Sequence, residues 1–523
     1  MKSNPPLFRP HVRIFVRKKM LVVTALMLIF GLSVMVRLPM LGKPLSHPRE
    51  WLNATVLRHL QIWHEMGIAR AHFAPIMTYP GRADKNISNA ASEHMDSQGN
   101  YYYTSYPPLA YYVPYFIFEA LHVYPSVLPL RIFNLLLHFI SGLFVYLALA
   151  VLLDCENEIC IPAVLGFVVY IFSPQSLWLQ STVYMSDIFV QVLFAAGIYF
   201  AVKWAKRGPS GFFSYLILGM LIFCFVYAEW LGVMFALSLS LFAWLQRDQP
   251  WARGFQFAVT LGICAALGLV LWQYSLISGL HAFVAASHHR YLLRSGLGAQ
   301  VGEDFHPWTM LGWLLLLTYL LVAYAADFLL LAVWAGVGKK LPSSNIAKNM
   351  KTALLCSAVL PPTLHHLVFF NFTAYHEFST LKDAPMIAIF AGMLASRLWK
   401  SNSTLSFPAM RLRTFLIGSA VVFCAVAIPE YRMLTGPLVP AYKTIGECIA
   451  RNATPDEVVF AQFQQPEAIP LPQVVLYAHR NIAIWQDEAT ARELVSKNGV
   501  SGAVLFVMNS AQTEVSEIRR MKF

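Results

Sequence analysis

Charge is scarce in this sequence. Only 13% of its 523 residues are Asp, Glu, Lys or Arg, where a soluble globular chain carries about a quarter. That scarcity excludes an ordinary soluble enzyme. Cysteine supplies no framework either: there are seven, an odd number without regular spacing, so free, buried thiols are expected and no disulfide scaffold. No small-residue cleavage site follows the first apolar run, which is too long for a signal peptide and is expected to stay as an anchor. His376 with Glu377 lacks further ligands at a zinc-binding spacing. No convincing internal repeat exists, which argues against the paired halves of a transporter.

What is present is apolar. Hydrophobic residues make up 57% of the chain, in long runs from about residue 20 to residue 429, the pattern of a polytopic α-helical membrane protein. The net charge of +12 could suggest nucleic acid as a partner. Its placement excludes that, because the basic residues cluster in short loops between spans, as they do where they set membrane orientation. Arg13, Arg17, Lys18 and Lys19 put the N-terminus in the cytoplasm. Counting from the basic loop 203–207 then predicts about eleven transmembrane helices: 20–40, 131–153, 159–173, 184–203, 211–227, 231–246, 254–276, 309–335, 352–370, 384–398 and 413–429. Two large loops, 41–130 and 277–308, face outward. The first holds an amphipathic helix over 48–66 ended by Gly67. Residues 109–122 are apolar but break the parity, and are expected as a re-entrant or surface helix.

Residues 430–523 differ in kind from the transmembrane part, 1–429. Runs at 458–461, 474–477 and 503–508 read as strands and 488–498 as a helix stopped by Gly499, which predicts a small α/β domain outside the membrane.

With this orientation the ionisable residues gather at the outer surface. The stretch Ser46-His47-Pro48-Arg49-Glu50-Trp51 opens the first loop. Arg131 and Asp187 open spans, and Glu229 sits in a tight outer turn. His288, His289, Arg290 and Arg294 lie in the second loop. His376, Glu377, Lys382 and Asp383 precede the tenth span. A single charge at a helix end is ordinarily an interfacial anchor; convergence on one side, beside two large loops, points to one outward-facing site. His365, His366 and Asp327 fall inside spans and are read as structural. Such a site suits a lipid-linked phosphate donor. The cations Arg131, Lys382 or the 288–294 group would hold the phosphate, and a carboxylate would take the proton of an attacking hydroxyl. Displacement from the opposite face gives inversion.

Four stretches resemble the GT-C glycosyltransferases, specifically the bacterial protein-mannosyltransferase and aminoarabinose-transferase type (glycosyltransferase family 39-like). They are Pro48-Arg49-Glu50-Trp51, Tyr106-Pro107-Pro108-Leu109, Met185-Ser186-Asp187 and His376-Glu377-Phe378 with Pro385. The resemblance implies sugar transfer from a polyprenyl-phosphate donor to a glycan, lipid or protein acceptor, outside the cytoplasm of a bacterial inner membrane. Relatives commonly carry an Asp-Glu pair in the first loop, and here Arg49 precedes Glu50. That leaves Glu50 as the expected base, with Asp187 at the second acidic position. His47, Arg49, Tyr106, Arg131, Glu229, His288, His289, Arg290, His376, Glu377 and Lys382 are the expected substrate-binding residues. Such enzymes differ in metal need, so a divalent metal stays open and none is assigned. The alternative reading is a polytopic transporter or lipid flippase.

Overall fold

The computed structural model describes residues 10–47, 49–88, 94–298, 308–339, 346–400, 409–437, 439–462 and 472–523. Six helices are long and apolar enough to cross a bilayer unaided: Lys19–Leu41, Val127–Leu152, Ser186–Arg207, Ala252–Ser278, Glu377–Trp399 and Met410–Thr435. Two further pairs, Ile161–Phe172 with Pro174–Thr182 and Met310–Ala323 with Ala325–Gly338, qualify when taken together, and are bent by 57° and 76°. The stretch expected as one span over 309–335 is therefore broken. At the break Tyr324 leaves the helical region (φ −133°), its hydroxyl donates to the Thr380 carbonyl, 2.7 Å, and Asp327 accepts from Ser173, 3.1 Å.

Gly211–Val226 and Leu231–Leu245 are shorter apolar helices joined by the turn that carries Glu229. The turn closes tightly because residue 232 is glycine: a Cβ there would stand 2.4 Å from the Phe225 backbone. Lys348–Leu354, the π-turn Leu355–Val359 and Leu360–Val368 run on continuously. Pro361 and Pro362 have no amide hydrogen to donate, which favours a shifted hydrogen-bond pattern just before them.

On the side expected to face outward, the first loop forms the helix Trp51–Met66, a hairpin pairing His94–Met95 with Tyr101–Tyr102, and the helix Leu109–Ala120. The last has 12 residues, about 18 Å of helix, too short to cross a bilayer. It lies at the surface with Phe116 and Ile117 exposed. The second loop contains the helix Leu280–Ser295.

The C-terminal part carries a four-stranded sheet in the order Ile482–Ile484, Glu457–Gln462, Gly502–Met508, Val515–Lys522. The first three strands are parallel and the last antiparallel. Residues 474–477, expected as a strand, belong instead to the helix Pro472–Ala478, which packs on the helices Ala441–Asn452 and Trp51–Met66. A four-residue apolar run fits either structure, and tertiary packing decides it.

This part is riveted to the first loop. Asp84 binds Arg480 at 3.0 Å and accepts from the Asn481 amide at 2.5 Å. Arg58 donates to Asn481 at 3.1 Å, Asn86 to Asn498 at 2.8 Å, and the Leu45 amide to the Tyr477 hydroxyl at 2.7 Å. A second correction concerns cysteine. Cys155 and Cys160 form a disulfide, although free thiols were expected, and it closes the short loop holding Glu156, the partner of Lys206 and Arg207.

Candidate active site

Asp187 is the second residue of the helix Ser186–Arg207, where the positive end of the helix dipole favours a carboxylate. Its Oδ1 pairs with the ammonium of Lys382, carried on the 3-10 turn Glu377–Asp383. The same ammonium lies 3.7 Å from Glu229 Oε1. Glu229 accepts from the Leu231 amide at 2.6 Å and meets His365 Nε2 at 3.3 Å. Asp187, Glu229 and Lys382 are fully buried and His365 is 2% exposed. Taking so many ionisable groups out of water is expensive. Asp187 Oδ2 and His365 Nδ1 add to that cost, because neither has a hydrogen-bond partner among the described residues. A buried unsatisfied acceptor costs about 1–3 kcal/mol.

Beside this cluster lies a cleft of about 180 Å³ with two guanidinium groups, Arg290 and Arg294, three hydroxyl-bearing residues, Thr104, Ser105 and Ser287, and the rings of Trp230, Tyr291 and Phe369 on its walls. Residues 287, 290, 291 and 294 share one face of the helix Leu280–Ser295, and that face is the cleft wall. Arg294 sits over the rings of Tyr106 (4.7 Å) and Phe372 (5.0 Å). Burial works against its charge, yet Tyr106, Tyr103, Asp187 and Glu229 hold its pKa above the ordinary value. Burial and the neighbouring Arg294 push Arg290 down to about 9. Two cations facing one small cleft repel each other, and a bound anion would relieve that repulsion. Burial and the nearby Asp187 raise the Tyr106 hydroxyl well above its usual range, so Tyr106 is a neutral donor and a platform for Arg294.

The other expected residues fall into three groups. Glu50 and Arg131 form a buried clamp. Glu50 Oε2 accepts from the amides of Ser46 (2.7 Å) and His47 (2.8 Å), while Oε1 pairs with Arg131. Arg131 also donates to the carbonyls of Met40 (2.8 Å), Leu41 (3.1 Å) and Lys43 (2.5 Å). Both Glu50 oxygens are thus engaged within the first-loop entrance. The His47 ring is buried, with neither nitrogen bonded among the described residues.

Arg49, Glu377 and His376 form the second group. Arg49 grips Glu377 through two parallel bonds of 2.5 and 2.7 Å and sits at φ +69°, an uncommon conformation for a side-chain-bearing residue. Gln175 fixes the same turn by donating to the Glu377 carbonyl at 2.9 Å and to Thr380 at 3.0 Å. His376 stacks on Phe372 at 4.5 Å. The turn that presents Lys382 is therefore tied to the first loop. Arg49→Lys replaces a planar fork with a point charge. At this half-exposed site about 1 kcal/mol of pairing is at stake. The expected outcome is a severalfold loss of kcat/KM with an unchanged unfolding midpoint, read from steady-state kinetics beside a thermal melt.

His288 and His289 are the third group. They lie on exposed faces of their helix and do not line the cleft, whose wall is built one helical face away, from Arg290 and Arg294. His365 was set aside in the sequence as structural. An ionisable residue within an apolar span was the available signal. Among the described residues no group of three His, Cys, Asp or Glu is arranged to hold a metal ion. Asp187 and Glu229 face Lys382, and Glu50 faces Arg131, and no step is derived through a metal.

This architecture defines a multi-pass helical membrane protein with a buried polar centre at one end of its helices and a small α/β unit docked beside it. Its fold is one shared with solved structures of ArnT and of an archaeal oligosaccharyltransferase. ArnT of Cupriavidus metallidurans, solved with bound undecaprenyl phosphate, superposes with a TM-score of 0.57 at 12% identity over 94% of this chain and 93% of that one. The oligosaccharyltransferase of Archaeoglobus fulgidus in its apo form gives 0.57 at 13% identity, covering 94% and 70%. Its complex with an inhibitory peptide and a dolichol-phosphate gives 0.54 at 12% identity over the same shares. No family model and no curated sequence matches the chain.

Proposed function

We propose that this chain is a membrane glycosyltransferase that moves a monosaccharide from a polyprenyl-phosphate donor to an acceptor hydroxyl on the outer side of a bacterial inner membrane. The observation that carries this reading is the juxtaposition of a two-arginine cleft with a buried carboxylate that has one unpartnered oxygen. Two proteins of the same fold were solved with a polyprenyl or dolichol phosphate, the donor chemistry the cleft suits. Lys203, Lys206 and Arg207 close the helix that Asp187 opens, which supports an outward-facing site and an outer C-terminal α/β unit.

In this mechanism Arg290 and Arg294 hold the donor phosphate through charge-assisted bonds. Asp187 Oδ2 takes the proton of the acceptor hydroxyl as its oxygen attacks the anomeric carbon. The bond from that carbon to the phosphate oxygen breaks, and polyprenyl phosphate leaves with the electron pair. Attack from the face opposite the leaving group inverts the anomeric centre. Lys382 fixes Asp187 through Oδ1, and Glu229 with His365 balances Lys382. Asp187, not Glu50, is the base, because Glu50 has no free oxygen. The acceptor is a hydroxyl of a glycan, lipid or protein.

The test is turnover of radiolabelled polyprenyl-phosphate sugars by the purified chain in lipid nanodiscs, with a panel of hydroxyl acceptors. Release of polyprenyl phosphate with sugar transfer supports the reading; donors left intact across the panel overturn it in favour of a transporter. Arg294→Gln removes one charged donor from the cleft. Its expected effect is a KM for donor raised roughly ten- to a hundredfold, with binding of an uncharged polyprenol unchanged.

A further inference from the structure

The helix Ser186–Arg207 carries Asp187 in its first turn and ends at Arg207, 20 residues later, about 30 Å away along its axis. That is the thickness of a bilayer core. At this far end lies a second polar cleft, of about 780 Å³, between the ends of four helices. Lys206, Arg207 and Lys348 line it together with the amides of Gln246, Gln249 and Asn349.

The charge balance there is positive. Asp154 and Glu156 meet Lys206 at 2.6 and 3.0 Å, and Glu156 also meets Arg207 at 2.5 Å. These two carboxylates belong to the disulfide-closed loop and do not line the cleft. Lys348 has no ion pair among the described residues and is exposed. No side chain lining the cleft is acidic.

The rim of the cleft is apolar. Leu245 and Trp251 line it, and Phe212, Phe213, Trp244 and Leu245 nearby are exposed. An aromatic rim at a helix-end boundary sits at headgroup depth in a bilayer. A basic pocket opening at that depth is built to receive an anionic headgroup.

We propose that this cleft binds a phosphate-bearing anion, supplied by a phospholipid headgroup of the adjoining leaflet. The site is separate from the sugar-transfer centre, and its occupation does not depend on that chemistry. Arg207 and Lys348 provide the charge, and the amides provide further donors.

The experiment compares the full chain in nanodiscs of phosphatidylcholine alone with nanodiscs of equal phosphatidylcholine and phosphatidylglycerol. Phosphatidylglycerol retained by the protein is counted by native mass spectrometry, and the thermal unfolding midpoint is read in parallel. Inorganic phosphate added to the phosphatidylcholine discs is the soluble arm. Lys348→Gln and Lys348→Gln/Arg207→Gln are the test variants. Arg253→Gln, a basic residue outside the cleft lining, is the control for diffuse surface charge. Because Lys348 is exposed and unpaired, its single variant reports binding without a folding defect.

The expected result is retained phosphatidylglycerol and a raised midpoint for the wild type. The double variant should bind roughly ten- to thirtyfold more weakly, Lys348→Gln should fall between, and Arg253→Gln should match the wild type. If inorganic phosphate alone reproduces the stabilisation and the same variants abolish it, the site stands as a phosphate site but the lipid source is overturned. Equal losses in Arg253→Gln and the cleft variants, or no response to either probe, overturn the site.

Discussion

Asp187→Asn is expected to lower sugar transfer per folded molecule by about 10²–10⁴-fold, the contribution of a positioned general base, while donor binding persists. It also removes one counter-charge of buried Lys382, which Glu229 still faces at 3.7 Å, so part of the thermal midpoint is lost with it. Asparagine keeps the shape and the place of Oδ1 beside Lys382, but its amide has no capacity to take a proton. The loss of transfer should appear in kcat, with KM for donor nearly unchanged, because in the proposed mechanism the phosphate is held by Arg290 and Arg294, which line the neighbouring cleft, and not by Asp187. Single-turnover kinetics with saturating radiolabelled donor separates the two. A variant that transfers sugar within a fewfold of wild type would remove Asp187 from the chemistry and leave Glu229 as the carboxylate to examine.

The second large effect is on folding. Arg131→Met should cost about 3–5 kcal/mol, as breaking a buried pair from one side does. It strips Glu50 of its counter-charge and leaves the carbonyls of Met40, Leu41 and Lys43 without their donor. The readouts are membrane yield and the thermal midpoint in detergent. Glu50→Gln breaks the same clamp from the other side and should also lose midpoint, with activity per folded molecule retained. Full stability together with complete inactivity in Glu50→Gln would reverse the assignment and make Glu50 the base.

These two variants mark where the sequence was legible. Apolar runs and basic loops foretold the polytopic helical fold, since membrane burial writes itself as composition over some twenty residues. Asp187, Glu229 and Lys382 were visible as charges at span ends, and the structure brings these three together. The difference in surroundings between Glu50 and Asp187 was not visible. It depends on Arg131, 81 residues from Glu50, and such pairing leaves no periodic trace. The 288–294 segment was read by composition, which drew in His288 and His289. Its helical period alone would have separated residues 290 and 294 from 288 and 289. Short apolar runs remained ambiguous, as at 474–477, and the strand Val515–Lys522 was missed because it is a largely exposed edge.

The bonds that join Asp84 to Asn481 span 397 residues of sequence, and those joining Arg58 to Asn481 span 423. During synthesis the first loop, 41–130, emerges early, and its Arg58 and Asp84 lack their Asn481 and Arg480 partners until nearly the whole chain has followed. Contacts of such separation form slowly. Docking of this loop therefore coincides with arrival of the C-terminal sheet, so that a chain stalled before residue 480 would carry the loop without the partners that fix it.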